Sequence, residues 1–347
     1  MADNNKKFIS GAQIVVQAAI DAGAKMMYGY PITPATEVFT GWIKNKQPYL
    51  QTEDEIVAGF AVCGAVMAGQ KAFTATSGPG HVLMQDGMSM AEAMRLPFVL
   101  VDAQRGGPSS GTVIYSQQEV TLACYGGNGE GFRLVYSPCG LEELYDVVRL
   151  AFNNAWRYRF PAIVLTDGYT LKTTTVVNWD NLKKNDNVPS YDLVPEDKIV
   201  HWPNIYTFEE DLFKEINKTK LDFEKISDEV VLFETVQAED AEILIIAHGI
   251  VGSSVKEAID KLRLSGIKVG LFRPITLRPF AKKQLDKIVG AKQVKKVVVI
   301  ESSMGQLARI VHDELDPEIS KPFLNLFYPG LGIENEEIVK QIEKIKL

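Results

Sequence analysis

Cysteine is scarce in this chain, because its 347 residues include only Cys63, Cys124 and Cys139. The three are widely separated, so the sequence contains no CxxC pair and no ligand set with the spacing of a zinc or iron-sulfur site. The same spacing provides no disulfide framework. The sequence therefore predicts that this chain binds no metal, and that any metal or cluster chemistry comes from another chain.

Long apolar segments and runs of basic residues are also missing. No stretch approaches the ~18 consecutive apolar residues of a membrane span, and the opening residues MADNNKKFIS contain no apolar signal segment. The formal net charge of -7 disfavours a nucleic-acid surface. These absences predict a cytoplasmic protein that binds neither membrane nor nucleic acid.

Neither common nucleotide fingerprint is present, since the sequence has no GxGxxG and no GxxxxGKS or GxxxxGKT. This disfavours a nucleotide-dependent dehydrogenase, which is kept as an alternative. What the chain does contain is a repeated order of elements: apolar segments suited to buried strands alternate with helical segments at least four times. Such alternation predicts an α/β fold with a doubly wound, mostly parallel sheet.

The stretch from Gln51 to Gly80 has the most informative pattern. Thr52 followed three residues later by Glu55 predicts a capping box at a helix start. The helix then has no charged residue over Ile56–Ala68, which predicts burial on all sides. A carboxylate at the mouth of such a helix has a raised pKa, so Glu55 is either an ordinary cap or an acid that shares a proton with a buried ring.

A glycine-rich turn follows the next predicted strand. Residues 71–76 suit a short strand, and Ser77-Gly-Pro-Gly80 turns it sharply toward a helix predicted over Met84–Met94. A strand, a glycine turn and a helix in this order resemble a loop that holds a phosphate or cofactor, with Ser77 and Gly78 as its contacts. A plain tight turn is the alternative.

Two further predicted strands end in residues suited to binding an anion. Thr33 lies between two prolines in GYPITP, and Arg105 lies in the glycine-rich loop QRGGPSSG. Ligands of open α/β sheets bind beyond the carboxyl ends of strands, where a threonine hydroxyl and an arginine fork can grip a carboxylate or phosphate. The alternatives are a rigid proline turn at Thr33 and a surface charge at Arg105.

Several motifs in fixed order resemble one family: GYPITPATE, QTEDEIVAGFAVCGAVMAG, TATSGPG, LPFVLVDAQRGGPSSG and YRFPAIVLTDG. Over roughly residues 8–175 they are similar to the alpha subunit of 2-oxoacid:ferredoxin oxidoreductases. The resemblance implies a domain that binds the pyrimidine ring of thiamine diphosphate (TPP). It implies that Glu55 hydrogen-bonds this ring and promotes its proton transfer, and that Thr33 and Arg105 bind the substrate carboxylate.

The same resemblance implies a reaction: the oxidative decarboxylation of a 2-oxoacid (2-oxoglutarate, branched-chain or pyruvate) with coenzyme A to an acyl-CoA and CO2, with electrons passing to ferredoxin. Because the chain has no GDG-type diphosphate motif and no cysteine cluster, magnesium and the iron-sulfur cluster are expected on partner subunits. The expected partners are a beta subunit with the TPP diphosphate-binding domain, a gamma subunit and a ferredoxin-like delta subunit. The TPP site is therefore expected to be shared with the beta subunit.

A second α/β pattern begins near Ala241. Its motifs IAHGIVGSS, GLFRPITLRPF and VVVIESSMGQ resemble the transketolase C-terminal-like domain that follows the pyrimidine-binding domain in this family. The predicted organisation is a pyrimidine-binding domain at residues 1–175, an irregular connector at 176–236 with a charged helical segment over Phe208–Lys220, and the second domain at 237–347. Both domains are predicted to be doubly wound, mostly parallel α/β sheets.

Three polar residues of the second domain receive no catalytic role. His248, at a predicted strand end, is interpreted as structural, and Arg273 and Arg278 as interface or surface charges. A noncatalytic scaffold subunit with the same fold stays an alternative. The joint presence of the predicted acid and of both anion-binding residues speaks against it, since a docking scaffold needs none of them.

Overall fold

The computed structural model describes residues 5–183 and 186–345, which form strands β1–β14 and helices α1–α13. The strands are β1 (Lys6–Ser10), β2 (Met26–Gly29), β3 (Tyr49–Gln51), β4 (Ala72–Thr76), β5 (Val99–Gln104), β6 (Leu134–Tyr136), β7 (Ala162–Asp167), β8 (Thr174–Asn178), β9 (Phe233–Val236), β10 (Ile243–Ile246), β11 (Val269–Pro274), β12 (Thr276–Arg278), β13 (Lys296–Glu301) and β14 (Phe323–Phe327). The helices are α1 (Gly11–Asp21), α2 (Thr36–Lys44), α3 (Glu55–Met67), α4 (Pro79–Leu83), α5 (Gln85–Ala93), α6 (Val120–Tyr125), α7 (Leu141–Tyr158), α8 (Gly168–Lys172), α9 (Glu209–Val230), α10 (Gly249–Leu264), α11 (Lys282–Val289), α12 (Gln306–Glu314) and α13 (Asn335–Ile342).

The first sheet has seven strands in the order β12-β6-β7-β5-β4-β2-β3. All neighbours are parallel except β12, which pairs antiparallel with β6. Successive residues of β5 enter different cores, since Val99 and Val101 belong to one apolar cluster and Leu100 to another. This alternation covers both faces of the strand with helices, as a parallel sheet requires. The predicted doubly wound, mostly parallel sheet is confirmed.

Four neighbouring strands of this sheet position the predicted site residues. β5, β4, β2 and β3 are adjacent and parallel, so their carboxyl ends lie along one edge. Thr33 follows β2, the Ser77–Gly80 turn follows β4, Arg105 follows β5, and Glu55 begins the helix after β3. Strand order therefore gathers at one edge residues that are far apart in the sequence.

The second sheet has five strands in the order β14-β13-β10-β11-β9, of which β9 is antiparallel to its neighbour. Strand β9 (Phe233–Val236) falls within the predicted connector, yet it pairs with β11. Strand β12 (Thr276–Arg278) falls within the second predicted domain, yet it pairs with β6 of the first sheet. The chain thus crosses between the two sheets at their border, and the limits 1–175, 176–236 and 237–347 stay a prediction.

Helix α9 is longer than the sequence pattern indicated. The charged segment Phe208–Lys220 was predicted as helical, and the observed helix continues to Val230. Its added turns bury Phe223 and Val230 against the core of the first sheet. Within the described residues, no helix combines the length and the apolar character that crossing a membrane demands.

Two helices meet at Met84, α4 before it and α5 after it, and α5 is the helix predicted over Met84–Met94. The first, α4, begins inside the glycine turn because Pro79 occupies its first turn, a position that tolerates a residue without an N–H. The turn and the following helix are therefore one continuous unit.

Candidate functional site

Glu55 is the first residue of α3, and Asp54 is the N-cap: its side chain accepts a hydrogen bond of 2.8 Å from the N–H of Val57. The predicted capping box is wrong, since the Thr52 hydroxyl instead donates to the carbonyl of Asp54 at 2.8 Å. Asp54 thus leaves the Glu55 carboxyl free of the capping task. Glu55 is 4% exposed, and burial raises its pKa above the ordinary value.

Gly80 provides the space in which the Glu55 side chain lies. A Cβ placed on Gly80 would meet the carboxyl carbon of Glu55 at 2.7 Å and would overlap the Thr76 hydroxyl. The turn after β4 and the start of α3 are therefore in direct contact, and a side chain at position 80 would displace the carboxyl.

Arg105 connects two loops at the same edge. Its Nη1 donates to the carbonyl of Thr33 at 2.6 Å, and its Nε would lie 2.8 Å from a Cβ placed on Gly78. Gly78 has φ +53°, in the left-handed region, so this position requires glycine both for the backbone and for the close approach. Arg105 is 7% exposed, so the surface-charge interpretation is wrong, whereas Thr33 is exposed.

Several buried polar atoms of these loops have no hydrogen-bond partner among the described residues. They are Thr76 Oγ1, Ser77 Oγ, Gln104 Oε1 and Arg105 Nε. Buried polar groups in proteins are normally hydrogen-bonded, so this edge offers unused donors and acceptors, of which Thr76 Oγ1 lies next to the Glu55 carboxyl. Such an arrangement fits a heteroaromatic ring that carries both ring-nitrogen acceptors and an amino donor.

A buried cluster at the same loops, formed by His81, Asp102 and Glu119, was missed by the sequence analysis. His81 Nδ1 is 3.0 Å from a carboxyl oxygen of Asp102 and 3.0 Å from one of Glu119. Burial by itself lowers the pKa of His81, but the two acids raise it to about 9. Burial raises the pKa of Asp102, whereas the bond from His81 holds the pKa of Glu119 below its ordinary value despite burial. The three residues come from α4, β5 and the residue before α6, so no sequence spacing signals the cluster.

Helix α3 is not buried on all sides, contrary to the prediction from its composition. Ile56, Val57 and Phe60 are 38%, 41% and 36% exposed, and Val82 and Leu83 of the contacting helix α4 are 58% and 44% exposed. We call these five residues the α3–α4 face. Helix α3 packs against α5 and β4 within the chain, and the side chains of the α3–α4 face stay uncovered. A contiguous exposed apolar face indicates an interaction surface.

The polar residues singled out in the second domain have partners within the chain. His248 is fully buried, with Nδ1 2.8 Å from a serine hydroxyl of the first domain. Arg273 forms a buried ion pair with Glu143, Nη2 to Oε1 at 2.7 Å. Arg278 donates to the backbone carbonyls of Cys124 in α6 and of Gly131. Arg273 and Arg278 are therefore neither free surface charges nor ligands of the Glu55 edge. Arg273 links β11 of the second sheet to α7, whereas Arg278 holds β12 of the first sheet against α6 and the segment that follows it.

Two family models match this chain. Residues 17–227 match the model described as "Pyruvate flavodoxin/ferredoxin oxidoreductase, thiamine diP-bdg", and residues 241–333 match "Pyruvate:ferredoxin oxidoreductase core domain II". The first match covers more than half of the chain and includes Thr33, Glu55 and Arg105.

Curated relatives align along most of the chain. The 2-oxoglutarate synthase subunit KorA of Methanocaldococcus jannaschii is 34% identical over 334 residues, which cover 87% of this chain and 89% of the relative. The ketoisovalerate oxidoreductase subunit VorB of Methanothermobacter marburgensis is 31% identical over 324 residues and 87% of each chain.

Solved structures agree with these relatives. The 2-oxoglutarate:ferredoxin oxidoreductase from Magnetococcus marinus, with 2-oxoglutarate, coenzyme A and succinyl-CoA bound, superposes with a TM-score of 0.86 at 27% identity. The match covers 98% of this chain and 65% of that one, so this chain spans just under two thirds of its length. A split-gene transketolase, an inactive beta4 tetramer, has a TM-score of 0.63 at 16% identity and coverage of 97% and 98%, which confirms the transketolase-like fold. The chain therefore belongs to the pyruvate flavodoxin/ferredoxin oxidoreductase family, and it is an alpha-type subunit of the 2-oxoacid:ferredoxin oxidoreductases.

Proposed function

We propose that this chain supplies the pyrimidine-binding and substrate-binding half of a TPP-dependent enzyme that oxidatively decarboxylates a 2-oxoacid with coenzyme A. The observation that carries the proposal is the buried Glu55 carboxyl, lodged against Gly80 at the same sheet edge as Arg105. The unpartnered polar atoms of Thr76, Ser77 and Gln104 at this sheet edge fit an aminopyrimidine, and Thr76 Oγ1 lies next to the Glu55 carboxyl in the space beside Gly80. Bound TPP would supply the electron sink that decarboxylation needs.

Glu55 would hold the proton that is exchanged with the cofactor ring. Its raised pKa, caused by burial, keeps a larger fraction of the carboxyl protonated near neutral pH than an exposed glutamate would have. A protonated carboxyl can donate to a ring nitrogen, and the carboxylate can then accept the same proton back. Ser77 and Gly78, in the turn beside it, would contact the cofactor.

Arg105 and Thr33 would bind the carboxylate of the substrate. Nη1 of Arg105 donates to the Thr33 carbonyl, and this hydrogen bond orients the guanidinium. The buried Nε of Arg105 has no partner among the described residues. An oriented guanidinium suits a carboxylate. The relatives named for 2-oxoglutarate and ketoisovalerate act on acids that share the 2-oxo carboxylate. Arg105 and Thr33 would read this shared part, and other residues would distinguish the side chains.

The α3–α4 face is our proposed contact with a beta subunit that carries the TPP diphosphate-binding domain. Its apolar residues adjoin Glu55, so a subunit covering the face would also close the cofactor site. Magnesium and an iron-sulfur cluster would be bound by partner subunits, with a gamma subunit, a ferredoxin-like delta subunit and ferredoxin as further partners. Coenzyme A would be the co-substrate, and the assembly would be cytoplasmic.

The test is to purify the complex that contains this chain and assay it with TPP, coenzyme A and a viologen dye. Pyruvate, 2-oxoglutarate and 2-oxoisovalerate are offered separately. Coenzyme A-dependent dye reduction with one of them establishes the reaction and identifies the substrate. An intact complex that contains TPP and iron-sulfur clusters but reduces no dye with any 2-oxoacid would contradict the proposal and favour a noncatalytic scaffold.

Glu55→Gln tests the proposed acid directly. The amide keeps the size of the side chain but cannot exchange a proton with the ring, so we expect kcat to fall by roughly 10²- to 10⁴-fold. Circular dichroism and assembly of the complex should be unchanged. Glu53→Gln, which neutralises an exposed acid two residues earlier, is the matched control and should keep full activity. Normal turnover of Glu55→Gln would remove Glu55 from the catalytic role.

A further inference from the structure

One oxygen of the Glu119 carboxylate bridges the two loops of the proposed site. Oε1 accepts a hydrogen bond of 2.9 Å from the N–H of Gly78 and one of 2.7 Å from the N–H of Arg105. Gly78 lies in the turn after β4, and Arg105 is the first residue after β5. The carboxylate therefore holds the backbone of the proposed cofactor turn against the backbone of the proposed substrate-binding arginine.

The second oxygen of the same carboxylate is itself held. Oε2 lies 3.0 Å from His81 Nδ1, and His81 lies 3.0 Å from Asp102. Glu119, His81 and Asp102 are 5%, 0% and 0% exposed, so bulk water does not compete for these contacts. With Oε1 and Oε2 each held by its own partners, the carboxylate is fixed in one orientation.

We propose that Glu119 is a positioning residue for the active site: it sets the distance between the Ser77–Gly80 turn and Arg105, and His81 fixes its orientation. This inference rests on the proposed function, because it assigns Glu119 a task in placing the groups that would meet cofactor and substrate. Glu119 itself touches neither of them.

Two physical arguments support the role. Hydrogen bonds to a charged acceptor in a buried site are stronger than neutral ones, and two of them converge here on one atom. The two N–H groups also have few alternatives, since Gly78 is in the left-handed region and the Arg105 side chain packs over it. Loss of the carboxylate would leave both N–H groups buried without an acceptor and would let the two loops separate.

A metal ion is the competing use of the same residues. Their ligand atoms lie within 4.8 Å of one another, which a metal site also requires. Two backbone N–H groups donate to Oε1 of Glu119, which therefore already acts as a hydrogen-bond acceptor. This favours the hydrogen-bonded arrangement over a metal site. Metal analysis of the purified complex distinguishes the two uses.

The experiment compares the purified complex with Glu119→Gln and Glu119→Ala variants. Without an acceptor, Glu119→Ala should speed hydrogen–deuterium exchange in peptides that contain Gly78 and Arg105. It should also raise KM for the 2-oxoacid by roughly tenfold to a hundredfold, with a smaller change in kcat, since a charged hydrogen bond of this strength is lost. Glu119→Gln retains a carbonyl oxygen at the bridging position and should lie between wild type and Glu119→Ala in both measurements.

Glu301→Gln is the matched control, because Glu301, on β13 of the second sheet, is also buried and accepts from two backbone N–H groups, those of Leu307 and Ala308 at the start of α12. It should lower stability without raising KM. The proposal would be overturned if hydrogen–deuterium exchange in both peptides were unchanged in Glu119→Ala, or if that variant lost activity only through kcat. It would also be overturned if the wild-type complex contained one equivalent of metal that Glu119→Ala removes. If the wild-type complex used no 2-oxoacid, the proposed function would fail, and the exchange experiment would still decide the role of Glu119.

Discussion

Burial favours the neutral form of both Glu55 and His248, so it raises the pKa of the acid and lowers the pKa of the base. It raises the pKa of Glu55, while burial, assisted by the nearby charge of Arg273, lowers the pKa of His248 to about 3. Both shifts follow because a charged group loses solvation in the interior. For Glu55 the shift serves the proposed proton exchange. For His248, which hydrogen-bonds the first domain, it makes the packing of the chain sensitive to acid.

Replacing His248 with glutamine should remove this acid sensitivity. The folded chain keeps His248 neutral while the unfolded chain protonates it below its ordinary pKa of 6.5, so its contribution to stability is complete above that pH and is lost as the pH falls toward 3. Between pH 6.5 and pH 5, wild type should lose about 2 kcal/mol relative to His248→Gln. Urea unfolding at the two pH values measures the difference, and other titrating groups cancel because both proteins share them. A difference independent of pH would contradict the lowered pKa.

At the scale of elements, the site depends on the contact between the turn after β4 and the start of α3. Glu55 lies on the helix, and Gly80 on the turn leaves the space that the Glu55 carboxyl occupies. The short helix α4 continues this turn, so the turn cannot move without moving α4 and the buried His81 on it.

Gly80→Ala should therefore damage the site although alanine favours helices. The added Cβ would overlap the Glu55 carboxyl and the Thr76 hydroxyl, so the free energy of unfolding should fall by about 1–3 kcal/mol. Activity should fall by roughly a hundredfold, because a displacement of the acid by about 1 Å misaligns proton transfer. Unfolding curves and steady-state kinetics of the complex measure the two effects.

Gly64→Ala is the control for that variant. Gly64 lies in the same helix as Glu55, and a Cβ placed on it meets no atom of the chain within 4 Å. The free energy of unfolding of the isolated Gly64→Ala chain should rise by up to about 1 kcal/mol, because alanine has a higher helix propensity than glycine. Equal effects of the two substitutions on stability would show that the contact at Gly80 is not the cause.

At the scale of the whole molecule, Arg273 ties the two sheets together. Arg273 lies on β11 of the second sheet. Its two Nη atoms donate to Glu143 of α7 at 2.9 and 2.7 Å, and its Nε donates to Glu234 of β9 at 2.7 Å. The arginine side chain is 3% exposed. A buried charge with two carboxylate partners stabilises the arrangement only as long as the set is complete.

Arg273→Met should lower the free energy of unfolding by about 2–4 kcal/mol, because it leaves the partly buried Glu143 without its cation. Glu234 keeps its ion pair with Lys256 at 2.6 Å. The lower part of that range is expected if water reaches Glu143 and Glu234, which are 24% and 33% exposed. Denaturant unfolding provides the measurement. Lys283→Ala, which breaks an ion pair whose side chains are 73% and 70% exposed, is the control and should have an effect below about 1 kcal/mol. A loss no larger than that of the control would contradict the role of Arg273.

The elements of this fold were largely predictable from local patterns. Short apolar segments bounded by glycine and proline marked most strands of the parallel cores, and Ser10, a serine directly before an apolar helical segment, is the N-cap of α1. Helix starts were less predictable where several acids follow one another: Asp54, and not the Thr52–Glu55 pair, caps α3. A run of acids offers several candidate caps, and only the backbone conformation selects one of them.

The sequence by itself determined the alternating α/β order and the motifs of the family, and it singled out Thr33, Glu55 and Arg105 as candidate site residues, because each of these is encoded in a few neighbouring residues. Only the tertiary structure decided which residues meet. The bridge from Glu119 to Gly78 and Arg105 and the Arg273 link between the sheets join residues that no local spacing relates. The exposure of the α3–α4 face was also decided by the tertiary structure. Composition shows that a helix is apolar, but not which of its sides the rest of the chain covers. Such facts depend on strand order and packing, which act between distant parts of the chain.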